Sequence, residues 1–302
     1  MVRLDKIENV EIRTAEREYV SQLVDLMKSE YTRKKSENYF LWQYFESKLP
    51  TVLKVALENE KLIGFFGLQK KILSNGSQAG QAIDMLVSPE WRGKGVFKQL
   101  ADRATEHFND LDILCVFPNL NGKNAVEKSL DWKSIAQINT LVYGESPIPE
   151  QVGETKIDYI NSDPVYFSYN EEIIDWRFKQ HPEHNYNFIS IEDGYYSILK
   201  LFIEPETEKR FGDVVYMNCD FNDLNKIKSL LNKSVEYFND MNVQAITIWA
   251  LPHLTLINAA REVGFKEIPM ERFFCIKILN SKFDHLRDIN NWHLSQADTE
   301  IY

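Results

Sequence analysis

The chain has 302 residues, a length that suggests two domains. Hydrophobic residues make up 44% of it and aromatic residues 13%, which is enough to fill buried cores and excludes a disordered chain. The net charge of −10 disfavours nucleic acid and anionic membranes as main partners. The longest apolar run, residues 62–68, is too short to cross a bilayer.

The sequence begins Met-Val-Arg-Leu-Asp-Lys-Ile-Glu, which contains no apolar signal segment, and its three cysteines lie far apart. We therefore expect a cytoplasmic protein with reduced thiols. His181 and His184 have the spacing H-x-x-H, but Pro182 lies between them and the sequence offers no third ligand. We therefore expect no metal site.

Hydrophobic periodicity predicts a first set of strands and helices between residues 10 and 143. The predicted strands are 10–14, 52–58, 62–73, 81–87, 113–117 and 135–143, and the predicted helices are 19–31, 36–46, 95–108 and 121–130. Their order is β-α-α-β-β-β-α-β-α-β, which is typical of a mixed sheet flanked by helices.

A second set of elements repeats the first at a distance of 134 residues. Trp42 and Trp176 are separated by 134 residues and lie in similar helical patterns. The same spacing relates Glu58 to Glu192, Pro118 to Pro252, Leu120 to Leu254, Asn124 to Asn258 and Ala125 to Ala259. Because these identities cluster in equivalent contexts, we predict a tandem duplication.

The second set is predicted to contain a hairpin around 189–195, helices at 224–238 and 255–263, a strand at 245–250 and a helix C-cap at Gly264. Turn-forming residues at 144–153 indicate a linker. We therefore predict domains at 1–145 and 155–282, followed by a polar, loosely held tail at 283–302.

The most informative segment is residues 87–97, which read Val-Ser-Pro-Glu-Trp-Arg-Gly-Lys-Gly-Val-Phe. An apolar strand pattern precedes the segment and a helical pattern follows it. A glycine loop between a strand and a helix presents free backbone N–H groups at the positive end of the helix dipole, where a phosphate or pyrophosphate binds. Side chains at Gly93 and Gly95 would keep the backbone away from the anion.

This spacing is neither the dinucleotide pattern G-x-G-x-x-G nor a nucleotide P-loop, because Gly95 stands where a P-loop has Ser or Thr. It resembles the acyl-CoA pyrophosphate loop of GNAT-type N-acetyltransferases, whose pattern is Val-x-Pro-x-x-Arg/Gln-x-x-Gly-x-Gly/Ala. The predicted element order is also that of the GNAT fold, so the resemblance covers about 140 residues. It implies an α/β (α+β) protein with two tandem GNAT-like domains, each a central mixed sheet flanked by helices.

The resemblance implies that acetyl-CoA lies in a cleft where the strands ending at Val87 and Phe117 separate. The backbone amides of Leu86 and Val87 would then hold the pantetheine and stabilise the tetrahedral oxyanion. Asn121, near the start of the next helix, is a further candidate cofactor contact. The implied pyrophosphate-binding residues are Arg92, Gly93, Lys94, Gly95, Val96 and Phe97.

An amine must be neutral to attack a thioester, so a general base is expected. Asp84 is the leading candidate, because a carboxylate in an apolar strand needs a partner or a function; the alternative is that Asp84 points to solvent or to a basic neighbour. The family's general acid is a Tyr, but Glu127 stands at that position here, and solvent is another possible donor. Glu58, Tyr143 and Tyr39 are weaker catalytic candidates, because their strands or helix could border the cleft.

Residues 213–263 contain no glycine, so the second repeat cannot form the same anion-binding loop and is expected to bind no acyl-CoA. The chain as a whole is predicted to transfer an acetyl group from acetyl-CoA to a small-molecule amine, such as an amino sugar. The alternatives are a non-catalytic acyl-CoA-binding or scaffold protein and an aminoacyl transferase that uses charged tRNA.

Overall fold

The computed structural model describes residues 9–30, 35–138, 140–145, 164–249, 254–268 and 272–300. Its strands, in chain order, are β1 Val10–Thr14, β2 Thr51–Glu58, β3 Lys61–Ile72, β4 Gln78–Val87, β5 Ile113–Val116, β6 Lys133–Gln137, β7 Thr140–Gly144, β8 Tyr186–Ser190, β9 Tyr196–Ile203, β10 Arg210–Asn218, β11 Ala245–Trp249, β12 Lys266–Ile268 and β13 Phe273–Ile278. Its α-helices are α1 Val20–Glu30, α2 Glu37–Phe40, α3 Val96–Thr105, α4 Leu120–Leu130, α5 Glu171–Ile174, α6 Leu224–Asp240 and α7 Leu254–Val263.

These strands form two mixed sheets flanked by helices, which confirms the predicted α/β class. One sheet has the order β1-β2-β3-β4-β5-β13-β6, and the other has the order β12-β7-β11-β10-β9-β8. The chain divides into two compact units that alternate along the sequence. Unit 1 comprises residues 1–134, 168–183 and 275–284, and unit 2 comprises 135–167, 184–274 and 285–302.

In unit 1, amphipathic helices cover the seven-stranded mixed sheet. Helix α1 buries Leu23, Val24 and Met27 on one face, as the apolar spacing predicts. Helix α2 begins at the N-cap Ser36, whose hydroxyl accepts a hydrogen bond from the Tyr39 N–H, and it continues as a π-helical turn over Leu41–Phe45. Together with β2 and β3, these helices enclose one apolar core.

In unit 2, helices α6 and α7 pack on the second sheet. Asp223 caps α6 by accepting hydrogen bonds from two backbone N–H groups, and the helix buries Ile227, Leu231 and Phe238. Gly264 follows α7 with a φ of +111°, so the predicted glycine C-cap is confirmed. The core of this unit lies between these helices and strands β9, β10 and β11.

The predicted strand at 135–143 is wrong in one respect, because the structure divides it into two. Strand β6 belongs to the seven-stranded sheet, whereas β7 lies between β12 and β11 in the six-stranded sheet. Strand β13 makes the reverse exchange and lies between β5 and β6. The compact units therefore differ from the predicted ranges 1–145 and 155–282. The predicted linker falls almost entirely on residues 146–153, outside the described residues.

The two halves of the chain repeat the same elements. Helices α2 and α5 begin 134 residues apart, and a π-helical turn follows each of them. Within unit 1 the equivalent tryptophans stack, with the ring centroids of Trp42 and Trp176 4.5 Å apart, and the Trp42 indole N–H donates to the Trp176 carbonyl at 3.4 Å. The 134-residue spacing thus relates equivalent structural positions.

Candidate active site

The first sheet contains the strand separation that the sequence predicts. Strands β4 and β5 run parallel but pair only from Ala79–Gln81 to Ile113–Cys115. Beyond this point the described part of β4 pairs only with β3, as far as Val87, and a β-bulge at Ile83 and Asp84 of β4, opposite Gly67 of β3, accompanies the separation. A cleft therefore opens between the C-terminal ends of two parallel strands, where backbone groups of β4 have no ladder partner.

The direction of the β4 backbone decides which N–H groups face this cleft. Ser88 N–H donates to the Ile63 carbonyl of β3 at 2.9 Å, and successive residues in a strand direct their N–H groups to opposite sides. Val87 N–H therefore points to the cleft, Leu86 N–H points to β3, and Met85 N–H points to the cleft again. Sequence reasoning selected Leu86 and missed Met85, although this alternation could have identified it.

The glycine loop follows β4 immediately. Gly93 and Gly95 adopt φ values of +76° and +87°, and a Cβ atom built at either residue would meet no atom within 4 Å. Helix α3 starts at Val96, and its first intrahelical bond runs from the Gln99 N–H to the Gly95 carbonyl at 3.1 Å. The preceding N–H groups of α3 have no acceptor within the helix. This open, left-handed loop presents backbone donors at a helix N-terminus, which suits an anion.

The basic residues of the loop already have partners. Arg92 donates from Nε to the Val87 carbonyl at 2.9 Å and from Nη2 to the Glu30 carboxylate at 2.6 Å. The Lys94 ammonium lies 4.5 Å from the centre of the Trp91 ring. Arg92 thus fastens the loop to the end of β4. Because the Arg92 and Lys94 side chains already have partners, an anion bound at the loop would contact mainly the backbone N–H groups. Val96 is buried, and the Phe97 ring packs against Phe66 of β3.

Asp84 lies in the bulged part of β4 and is buried. Its Oδ2 accepts a hydrogen bond from the Tyr44 hydroxyl at 2.9 Å, and its Oδ1 accepts one from the Lys35 ammonium. The sequence offered two interpretations of Asp84: a general base, or a side chain that points to solvent or to a basic neighbour. The structure shows a basic neighbour, Lys35. Sequence reasoning named Tyr39 as a weaker candidate but missed Lys35 and Tyr44, which come from the same segment around α2.

Glu127 and Asn121 occupy less specialised positions on α4. The Glu127 carboxylate accepts a hydrogen bond from the Ser134 N–H at 3.1 Å and lies 3.9 Å from the Lys123 ammonium, so it fastens α4 to β6. Both contacts give Glu127 a structural role in joining α4 to the start of β6. Asn121 is exposed in the first turn, whereas the N-cap is Asn119, which accepts a hydrogen bond from the Gly122 N–H at 2.9 Å.

Tyr143 belongs to strand β7 of unit 2. It pairs with Ile246, and its ring packs on Phe265 at 5.5 Å between centroids. The structure therefore brings Asp84, Val87 and the glycine loop together in unit 1 but places Tyr143 in the core of unit 2. The sequence could not separate them, because it did not predict that β7 joins the second sheet.

The second sheet has an equivalent strand separation, and residues 293–296 of the same unit occupy it. Strands β10 and β11 pair in parallel only from Phe211–Asp213 to Ala245–Thr247. Beyond that point, residues 293–296 line the gap together with both strands and leave a cavity of about 20 Å³, room for a single water molecule. The Gln296 amide donates to the Thr247 hydroxyl at 2.9 Å.

The segment after β13 is accordingly well packed, and the expectation of a loosely held tail is wrong for its described part. Trp292 and Leu294 are each 1% exposed and Ala297 is fully buried. The Trp292 indole donates to the Leu286 carbonyl at 2.8 Å, and Ser295 and Asp298 form a capping box. Burial also raises the pKa of Tyr216, which lines the same gap.

Comparison with known proteins places these features in a family. Residues 17–126, which contain the loop and the separated strands, match the family model described as acetyltransferase (GNAT) family. Over this stretch the chain is similar to GNAT acetyltransferases. No curated protein matches the sequence.

Solved structures share the fold of the GNAT domain and of the rest of the chain. A glucosamine N-acetyltransferase region of a fungal multi-domain β-N-acetylglucosaminidase is 15% identical, with a TM-score of 0.54 over 88% of this chain and 38% of the fungal one. The chain thus spans little more than a third of that protein. A conserved protein from Enterococcus faecalis, named as a probable N-acyltransferase, is 11% identical, with a TM-score of 0.57 over 89% and 73% of the two chains.

N-myristoyltransferase of Saccharomyces cerevisiae, solved with bound myristoyl-CoA, is 11% identical, with a TM-score of 0.54 over 90% of this chain and 80% of that one. Among the described residues, no group of three His, Cys, Asp or Glu side chains could hold a metal ion. In the same part of the chain, no helix is long and apolar enough to cross a bilayer.

Proposed function

We propose that the chain is an acetyl-CoA-dependent N-acetyltransferase with a single acyl-CoA site, formed by unit 1. One observation carries the proposal: a glycine loop with two left-handed residues directly follows a strand that has lost its parallel neighbour. The pyrophosphate would bind the N–H groups from Gly93 to Phe97, and the pantetheine would lie along β4. The N–H groups of Met85 and Val87 would hold the thioester carbonyl and its oxyanion.

In this reaction the amine nitrogen attacks the thioester carbonyl carbon, the C–S bond breaks, and the amine's proton passes to the leaving thiolate or to solvent. No covalent enzyme intermediate is required. The acceptor is proposed to be a small primary amine, and an amino sugar is the favoured class because a glucosamine N-acetyltransferase region shares the fold. Unit 2 would bind no acyl-CoA, since its equivalent gap is filled by residues 293–296.

A non-catalytic acyl-CoA-binding protein is the second candidate, and position 127 favours it, because it carries Glu in place of the family's Tyr and its carboxylate contacts the Ser134 N–H and Lys123. Calorimetric titration with acetyl-CoA, combined with thiol release in the presence of a panel of amines, separates the two. Binding that Gly95→Glu abolishes, together with amine-dependent thiol release, is the expected result. Binding without thiol release from any amine supports the scaffold, and no binding refutes both.

A further inference from the structure

An almost buried ion pair lies beside the proposed acetyl site. The Lys35 ammonium contacts Oδ1 of Asp84 in β4, and their side chains are 14% and 6% exposed. A buried ion pair contributes little to stability compared with apolar side chains of the same volume, because desolvation of both charges offsets their attraction. The pair therefore calls for an explanation other than stability.

The surroundings hold the Asp84 carboxylate in a fixed orientation. Tyr44 donates to Oδ2 at 2.9 Å and leaves Oδ1 directed at the ammonium. The Tyr44 side chain lies directly over Gly67 of β3, where a Cβ atom would stand 2.2 Å from the Tyr44 hydroxyl. The missing side chain at Gly67 and the bulge in β4 thus make room for Tyr44 to reach Asp84.

The ammonium of Lys35 has the contacts that a primary amine needs. Besides Asp84, it donates to the Tyr39 hydroxyl at 2.9 Å and lies 4.2 Å from the centre of the Tyr39 ring. Asp84 is the immediate neighbour of Met85, whose N–H faces the cleft. An amine held at Asp84 Oδ1 is therefore one residue away from the proposed oxyanion donor.

We propose that Asp84, Tyr39 and Tyr44 form the acceptor's ammonium subsite, and that Lys35 occupies it in the absence of acceptor. The inference rests on the proposed function and names the substrate group as an unsubstituted primary ammonium. The acceptor displaces the Lys35 ammonium, Asp84 takes one proton from the acceptor's ammonium, and the neutral nitrogen attacks the thioester carbon. The C–S bond then breaks, the nitrogen gives up its second proton to the leaving thiolate directly or through solvent, and the thiol departs, after which Asp84 returns its proton to solvent. Tyr44 acts as a positioning residue for Asp84.

The test removes the internal competitor and supplies a small external amine. Lys35 lies before the N-cap of α2, outside any helix, so Lys35→Ala removes the side chain without breaking a helix. With saturating acetyl-CoA and n-propylamine as the probe, we expect Lys35→Ala to form N-propylacetamide with a KM for propylamine lower than that of the wild type, on the order of tenfold, because an intramolecular competitor has been removed. The exposed Lys61→Ala serves as the matched control and is expected to behave as the wild type.

Further variants distinguish the effect of removing the Lys35 side-chain volume from the effect of removing its charge. Lys35→Met removes the charge but keeps the side-chain volume, so we expect no gain with propylamine. The double variant Lys35→Ala/Asp84→Asn is expected to lose the gain, because Asp84 would no longer hold the ammonium. Should Lys35→Ala not fold, as judged by circular dichroism, Lys35→Ser repeats the test.

The outcomes distinguish this inference from the proposed function. If the wild type and Lys35→Ala both bind acetyl-CoA in calorimetry, but Lys35→Ala turns over propylamine no better than the wild type, the ammonium subsite is refuted while the proposed function stands. A gain that persists in the double variant also refutes it, because Asp84 would then hold no amine. If the wild type does not bind acetyl-CoA, the proposed function fails and the subsite fails with it.

Discussion

Replacement of Gly95 by alanine tests whether the backbone of the glycine loop binds the cofactor. Gly95 has a φ of +87° and lies in open space, so an added methyl group clashes with nothing in the chain. The left-handed conformation costs an alanine about 1–2 kcal/mol, which lowers stability modestly. The methyl group, however, projects into the space where a pyrophosphate would contact the N–H groups.

Gly76 provides a matched control within the same unit. Its φ is +81°, and a Cβ atom built there also meets nothing within 4 Å, but it lies in the turn before β4 and not in the loop after it. Gly76→Ala should therefore carry the same conformational cost, about 1–2 kcal/mol, with no effect on the proposed ligand. Equal losses of unfolding free energy in urea would show that the two substitutions are matched.

The expected difference lies in acetyl-CoA binding. Loss of a single hydrogen bond to a charged group costs about 1.5–3 kcal/mol, which raises Kd roughly tenfold to a hundredfold. We therefore expect Gly95→Ala to weaken binding by that factor in calorimetry, and Gly76→Ala to leave it unchanged. Equal binding by the two variants would show that the loop does not hold the pyrophosphate.

Four further predictions follow from the structure. Acetyl-CoA should saturate at one molecule per chain in calorimetry, and a second equivalent would contradict the closed gap in unit 2. Glu127→Gln should leave turnover unchanged at neutral pH, because the amide oxygen still accepts from the Ser134 N–H; a large loss would reinstate Glu127 as an acid. Trp292→Ala should lower the unfolding free energy in urea by about 3–5 kcal/mol, and a change below 1 kcal/mol would mean that the segment is loosely held. Burial raises the pKa of Cys219 to about 12, so the folded chain favours the neutral thiol. The free energy of unfolding should therefore fall as pH rises from about 9 to 12, because the thiol ionises more readily in the unfolded chain. Near neutral pH, iodoacetamide should label Cys219 only after unfolding.

Local patterns were sufficient for most of the fold. The apolar spacing of α1, the glycine after α7 and the paired strands β2 and β3 depend on residues close together in the chain, and the structure places them where the sequence predicts. The division of residues 135–143 into β6 and β7 was not predictable in this way. It depends on which distant strands each half joins, and side-chain alternation is the same for either choice.

The packed segment after β13 shows a second limit. Trp292, Leu294 and Ala297 are buried, but they are too few and too irregularly spaced to indicate an element, and the residues between them are polar. Their burial depends on the gap between β10 and β11, which is a feature of tertiary structure. A prediction from composition alone therefore treats the segment as a polar tail and misses its burial.

The candidate site also has one part that is encoded locally and one part that depends on the tertiary fold. The glycine loop and its place between a strand and a helix could be predicted, because the pattern lies within eleven consecutive residues. The partner of Asp84 could not, since Lys35 lies 49 residues earlier in the chain. The sequence did give one usable signal: a carboxylate inside an apolar strand requires a cation or a donor, and only the fold determines which one.

The two sheets show that the gap between parallel strands is a property of the fold, whereas its occupant depends on the sequence. In both sheets the central parallel pair extends over three residues, and a bulge in the neighbouring antiparallel pairing follows, near Phe66 in one and near Val214 in the other. Such a gap leaves backbone donors that must find an acceptor or be covered. In unit 2 the segment around Gln296 covers them. In unit 1 the glycine loop opens beside the gap, so a ligand with an anionic end and a long amide-bearing arm satisfies both features at once.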